Sequence, residues 1–161
     1  MATVARIEGR EEVPPQSPRP LSALYEVDET EWLDIMARLA AERRHEEFDF
    51  ENLSEFLTSM ARRDRRAVYS RLVKLLSHLL KWEHQGEKRT RSWHLTIVDQ
   101  RQRLAFEFGS KTLRHYAEST LSEVYRQAVE RASAGTGLAP SAFPPAWEGT
   151  LDDIMNREIV A

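Results

Sequence analysis

From Glu51 to Gln85 the chain runs thirty-five residues without a Pro or a Gly. Within that run Leu53, Phe56, Leu57 and Met60, then Val68, Leu72, Leu75, Leu76, Leu79 and Trp82, recur at three- and four-residue spacing. That is the spacing of one face of an α-helix, and Gly86 supplies its stop. A helix from Glu51 to Trp82 is about 48 Å long, whereas a compact chain of this length has a radius of gyration of about 15 Å. The run therefore predicts either a spine that other elements wrap or a bend in Arg62-Arg63-Asp64-Arg65-Arg66, where the apolar anchors lapse.

The rest of the chain reads as helices of ordinary length. Met1 to Pro20 holds four Pro and almost no apolar pattern, which predicts a flexible tail over 1–22 ahead of a single helical domain over 23–161. Asp28 with Glu31 three residues on has capping-box spacing and opens a first helix with Trp32, Leu33, Ile35, Met36 and Leu39 inward, fading near Arg44. Asp49 is the expected cap of the long helix, with Phe48 and Phe50 anchoring the turn. A third helix spans about 92–108, with Trp93, Ile97, Leu104 and Phe108 on one face and Arg101 within it. A fourth starts from Ser110 or Thr112 and continues to about Ala134, with Gly135 as its stop. Pro140, Pro144 and Pro145 enforce an extended arm pinned by Phe143 and Trp147, and Thr150 with Asp153 opens a short last helix. The fold class is all-α: a bundle of four main helices, an extended C-terminal arm and a short terminal helix. Leu95 to Val98 is the one weak strand-like stretch and is too short to change that class.

The chain has 161 residues, enough to bury a real core, and no Cys. Thiol catalysis, disulfides and Cys-based zinc sites are thereby excluded, and a reducing cytoplasm is the expected compartment. No apolar run is long enough for a membrane span, and the N-terminus lacks a signal-peptide core. His45-Glu46-Glu47 lacks the second His that a zincin helix supplies, so neither a metal nor a cofactor is expected. P-loop, GxGxxG, GxSxG and HExxH patterns are absent. Ser77 and His78 are neighbours on a helix and are expected to face different ways.

The net charge of −3 hides an uneven distribution. From 61 to 103 stand twelve basic residues against four acidic ones, and from 26 to 55 eleven acidic residues against three basic ones. Two readings follow. The halves neutralise each other, or the basic segment 61–103 presents a face to an anionic, nucleic-acid or protein partner.

Asp64, Arg71 and His78 follow one another at intervals of seven, almost on one line of the long helix. Polar groups on an apolar face need partners. The structural reading is a buried network running from Asp64 through Arg71 to His78. The functional reading is the floor of a polar cleft.

The run SRLVKLLSHLLKWEHQGEKRTRSWHLTIVDQRQRL, with DFENLSEFL before it and the Thr136-Gly137-Leu138 to Phe143-Pro144 segment after it, resembles the bacterial domain-of-unknown-function family twenty-nine. The resemblance covers roughly 24–155, and the HLLKW and RSW elements are its most specific parts. It implies an all-helical fold and a protein of the kind common in cyanobacteria and proteobacteria. It implies no established activity and carries over no catalytic residue. His84 and Gly86 depart from the Tyr-Gln-Pro-like turn usual in relatives, and the N-terminal extension is longer than most.

Two site hypotheses remain. Arg71 and His78, with six residues between them, are similar to the Arg-x4–6-His spacing of helical HEPN-type ribonucleases, where His acts as acid or base and Arg stabilises phosphate charge. Lys81, Trp82, Lys88, Arg89, Arg91, Trp93 and Arg101 interleave cations and aromatic rings around one helix–helix corner, a mixture suited to phosphate contact with base stacking. The bland reading of the corner is two core Trp rings with a solvated charged rim. The expected role is a binding or interaction module for an anionic or nucleic-acid partner. The alternatives are an RNA-acting ribonuclease and an antitoxin-like partner of another protein.

Overall fold

The computed structural model describes residues 20–159, and the tail expected over 1–22 lies outside them except for Pro20, Leu21 and Ser22. The described residues are all-α, with no strand among them. They form α1 (Leu21–Val27), α2 (Glu29–Ala41), α3 (Phe50–His84), α4 (Arg91–Glu107), α5 (Lys111–Ser119), α6 (Leu121–Thr136) and α7 (Leu151–Asn156). Seven helices thus stand where four main helices and a terminal one are expected. No helix among the described residues is long and apolar enough to cross a membrane.

The chain divides into two compact units, Met1–Leu57 and Thr58–Ala161. In the first, Trp32, Met36 and Leu39 of α2 are buried against Leu24 and Tyr25 of α1 and Leu53 and Phe56 of α3. Helix α1 is the element the sequence reading lacks, because its residues fall at the end of the Pro-rich tail. Its presence explains why Asp28 makes only half of a capping box. The Asp28 carboxylate accepts from Glu31 N (3.0 Å), but the Asp28 N–H already donates to the Leu24 carbonyl that closes α1 (2.8 Å). Asp49 serves two elements. Its Oδ1 accepts from Asn52 N (3.3 Å) at the start of α3, and its Oδ2 accepts from the Trp32 indole (3.1 Å). A buried indole N–H is thereby satisfied by the carboxylate that caps the next helix. Phe48 is half-buried, whereas Phe50 stays 61% exposed.

In the second unit the centre is α3 from Val68 onward. The expected stripe Val68, Leu72, Leu75, Leu76, Leu79 and Trp82 is buried, and so are Val73, Ser77 and Leu80 on other sides of the helix. A helix buried beyond one stripe is covered by neighbours on several sides. Those neighbours are Ile97 and Leu104 of α4, Ala117 of α5, Val124, Tyr125, Ala128 and Ala132 of α6, and Leu151 and Ile154 of α7. The stripe's first part behaves differently, with Leu57 and Met60 respectively 56% and 42% exposed. Helix α3 runs through Arg62–Arg66 without a break, because arginine is a good helix former and no Pro or Gly intervenes.

The expected fourth helix is two helices parted at Thr120 (φ −102°, ψ 3°). The Thr120 and Ser119 hydroxyls both donate to the Tyr116 carbonyl (2.9 Å each), alongside the Thr120 N–H (3.1 Å). Such back-bonding competes with the helical ladder and turns the chain. The C-terminal stop also falls later than Gly135. Gly137 takes the left-handed conformation (φ 76°), and its N–H donates to the Ser133 carbonyl (2.9 Å). Gly135 lies inside α6 under the Lys81 side chain, where a Cβ would come within 2.5 Å of Nζ.

The arm after α6 is tied to the core by buried Phe143 and by the Tyr125 hydroxyl, which donates to the Pro144 carbonyl (2.8 Å). A full capping box, Thr150 with Asp153, starts α7 as the spacing predicts. Arg114 holds α7 to α5 by donating to both Asp152 carboxylate oxygens (3.0 and 2.9 Å).

Candidate functional site

The polar stripe of α3 does not form a chain along its own helix. Arg71 instead reaches across to α4 and donates to Glu107 Oε1 at 2.5 Å. Seven residues along a helix is about 10.5 Å, too far for Asp64 or His78 to compete with a carboxylate on the facing helix. Both members of the pair are largely buried, their side chains being 27% and 17% exposed. Burial pushes the Glu107 carboxyl above its ordinary value. The Arg71 charge opposes that rise, and the Asp64 charge adds to it. Glu107 Oε2 is buried and has no hydrogen-bond partner among the described residues.

His78 is half-buried and turned back on its own helix, with Nδ1 2.8 Å from the Lys74 carbonyl. A carbonyl only accepts, so Nδ1 carries the proton. Burial pushes the ring's pKa down, the bond to Lys74 acts the other way, and the Lys81 and Lys74 charges push it further down. The Ser77 hydroxyl donates to the same carbonyl (2.9 Å) and lies 3.4 Å from His78 Nδ1, so the two neighbours lean together rather than apart. Arg71 and His78 are thus each engaged elsewhere, one by Glu107 and the other by Lys74.

The corner residues divide by what they touch. Trp82 is 8% exposed, with the Arg89 guanidinium over its ring at 5.1 Å. Arg89 Nε also donates to the Trp82 carbonyl (3.0 Å) near the end of α3, where carbonyls lack helical partners. Trp93 is half-buried against the core, and Lys81 Nζ lies 5.9 Å from its ring centre. Each ring therefore already has a cation beside it. Arg101 folds toward α7, where Nε and Nη2 donate to the Ile154 carbonyl (3.0 and 2.9 Å) and Nη2 to the Arg157 carbonyl (2.8 Å). It acts as a side-chain cap for the end of that helix.

The remaining cations present a different picture. Arg62, Arg63, Arg66, Lys74, Lys88 and Arg91 are exposed, and none has a carboxylate partner among the described residues. Arg103, by contrast, is paired with Asp99 one helical turn away (2.9 Å).

The family model for a domain of unknown function, DUF29, matches residues 24–160. The chain belongs to this family. No curated protein and no solved structure matches the chain. Membership brings the family's description as a domain of unknown function and no residue roles, so the geometry above carries the functional argument alone.

Glu107 is the polar group that the sequence reading overlooks. It lies three residues after Leu104 and seven after buried Gln100, and so falls on the inward side of α4. A carboxylate at that position is the signal that Arg71 has a partner outside its own helix.

Proposed function

We propose that this member of the family is a binding module for a polyanion, with nucleic acid held by its phosphates as the partner. The observation that supports this most is the exposed group Arg62, Arg63 and Arg66 on α3, none of which has a carboxylate partner among the described residues, with Lys88 and Arg91 as a second exposed group at the α3–α4 connection. Cations already spent on carboxylates or carbonyls, Arg71, Arg103 and Arg101, contribute little to such a surface. Phosphate contact is favoured over base stacking because Arg89 and Lys81 already occupy positions over the two Trp rings. An acidic protein partner is the weaker reading, because the stretch 62–66 consists of Arg and Asp alone and lacks the apolar centre of a protein interface.

The test is fluorescence anisotropy with labelled single- and double-stranded DNA and RNA at low salt. Charge reversal by Arg62→Glu, Arg63→Glu and Arg66→Glu together should abolish binding, with the helical circular dichroism unchanged because all three side chains are exposed. Equal binding by the reversed variant would remove the reading.

A further inference from the structure

We infer that the partner is duplex DNA and that α3 enters its major groove over residues 58–66, an inference that rests on the polyanion reading above. A helix of a globular protein ordinarily buries one side against a neighbour. In the second unit every residue over 58–64 is exposed, so no side of α3 is covered along this stretch, and Arg66 and Ser70 beyond it are exposed as well. A helix with its side chains is about 10–12 Å across, and the major groove of B-form DNA is about 12 Å wide. A helix seated there has base edges before it and a phosphate wall on either flank, so at least three of its sides must be clear. The bare stretch of α3 meets that requirement.

The polar residues of the stretch are arranged for the same geometry. Successive residues of a helix turn by about 100°, which sets Arg66 between Arg62 and Arg63, about 40° from the first and about 60° from the second. Ser59 and Ser70 fall within about 40° of Arg66. The line Ser59, Arg66 and Ser70 thus faces the base edges, where a guanidinium donates to guanine O6 and N7 and a hydroxyl serves any base. Arg62 and Arg63, to either side of that line, reach the phosphates of the two strands. Asp64 is the one acidic residue over 58–66 and, two residues from Arg66, turns to the opposite side. Glu55, one turn before Ser59, ends the cationic face with an anion. Duplex RNA is disfavoured because its A-form major groove is deep and narrow. Single strands are disfavoured because residues 58–66 include no aromatic ring on which bases could stack.

The experiment is fluorescence anisotropy with the full chain and three labelled probes in separate arms. They are a short DNA duplex, the RNA duplex of the same sequence, and the DNA duplex with glucosylated 5-hydroxymethylcytosine in place of cytosine, whose sugars fill the major groove and leave the phosphates free. The plain DNA duplex should bind about fivefold or more tighter than either of the others. Two neutral substitutions give a second readout. Ser59→Trp puts a ring on the line that faces the bases, and Ala61→Trp, about 200° further round, puts one on the opposite side. Both positions are exposed, so the helix accepts either ring, and circular dichroism should be unchanged. Ser59→Trp should weaken binding to the plain duplex about fivefold or more, with Ala61→Trp within about twofold of wild type. A smaller preference for the plain duplex, or equal affinities of the two variants, overturns this inference and leaves the polyanion reading standing. Absence of binding to every probe overturns both.

Discussion

Arg71 and Glu107, thirty-six residues apart, join α3 to α4 through one carboxylate oxygen and leave the other without a donor among the described residues. The pair is the one largely buried ion pair among the described residues, the others having at least one side chain about half-exposed or nearly so. Removing Arg71 takes the cationic partner from a carboxylate whose side chain is only 17% exposed, so Arg71→Met should cost about 1–3 kcal/mol at neutral pH.

The pH dependence of that loss follows from Glu107. Its carboxyl is held above the ordinary value of 4.5, chiefly by burial, so the folded state keeps this proton longer than the unfolded chain does. The stability it contributes is present below the unfolded value and is lost as pH rises through the folded one. Arg71 works against that rise, so its removal widens the window upward. Denaturant midpoints of Arg71→Met and wild type should differ least near about pH 4 and most near about pH 7. A difference independent of pH would show that Glu107 does not titrate in this pair.

His78 has the opposite sign. Burial holds its pKa below the ordinary 6.5, so the unfolded chain takes up this proton first as pH falls. Its contribution is complete above 6.5 and is lost as pH falls through the folded value. Replacement by asparagine, which retains a donor for the Lys74 carbonyl, should flatten the fall in unfolding free energy between about pH 7.5 and pH 5.5. An identical fall in His78→Asn and wild type would mean that other groups carry it.

Arg101 makes three hydrogen bonds to the carbonyls at the end of α7. Arg101→Met should therefore speed amide exchange across 151–157 and cost about 1.5–3 kcal/mol, while polyanion affinity stays at the wild-type value. Loss of affinity with undiminished protection of α7 would return Arg101 to the binding surface.

Leu75 is fully buried at the centre of the second unit, and Leu75→Ala should cost about 2–5 kcal/mol in urea denaturation. An unchanged midpoint would place α3 at the periphery.

What was legible in the sequence was local. The Asp49 and Thr150 caps, the absence of a breaker through α3 and the inward stripe of α3 after Val68 each depend on neighbours within a turn or two. The departures come from competition that a periodic pattern does not show. Thr120 breaks a helix because two adjacent hydroxyls back-bond to one carbonyl. Asp28 loses half its capping box to the helix before it. The corner at Lys81–Trp93 is a cluster in the sequence, yet each aromatic ring there has its own cation. Arg71 and Arg101 are indistinguishable from ligand-binding arginines until their partners, thirty-six and more than fifty residues away, are known.

The salt dependence of polyanion binding tests the central claim most directly. Each phosphate neutralised by a lysine or arginine releases counterions, and duplex DNA loses affinity with a logarithmic slope of about −0.9 per contact. Contacts by three to six of the exposed cations predict a slope between about −3 and −5 for the wild-type chain, with Arg62→Glu, Arg63→Glu and Arg66→Glu together leaving no measurable binding under the same conditions. A slope near zero, or no binding to any DNA or RNA probe at low salt, would contradict the assignment of this surface to a polyanion.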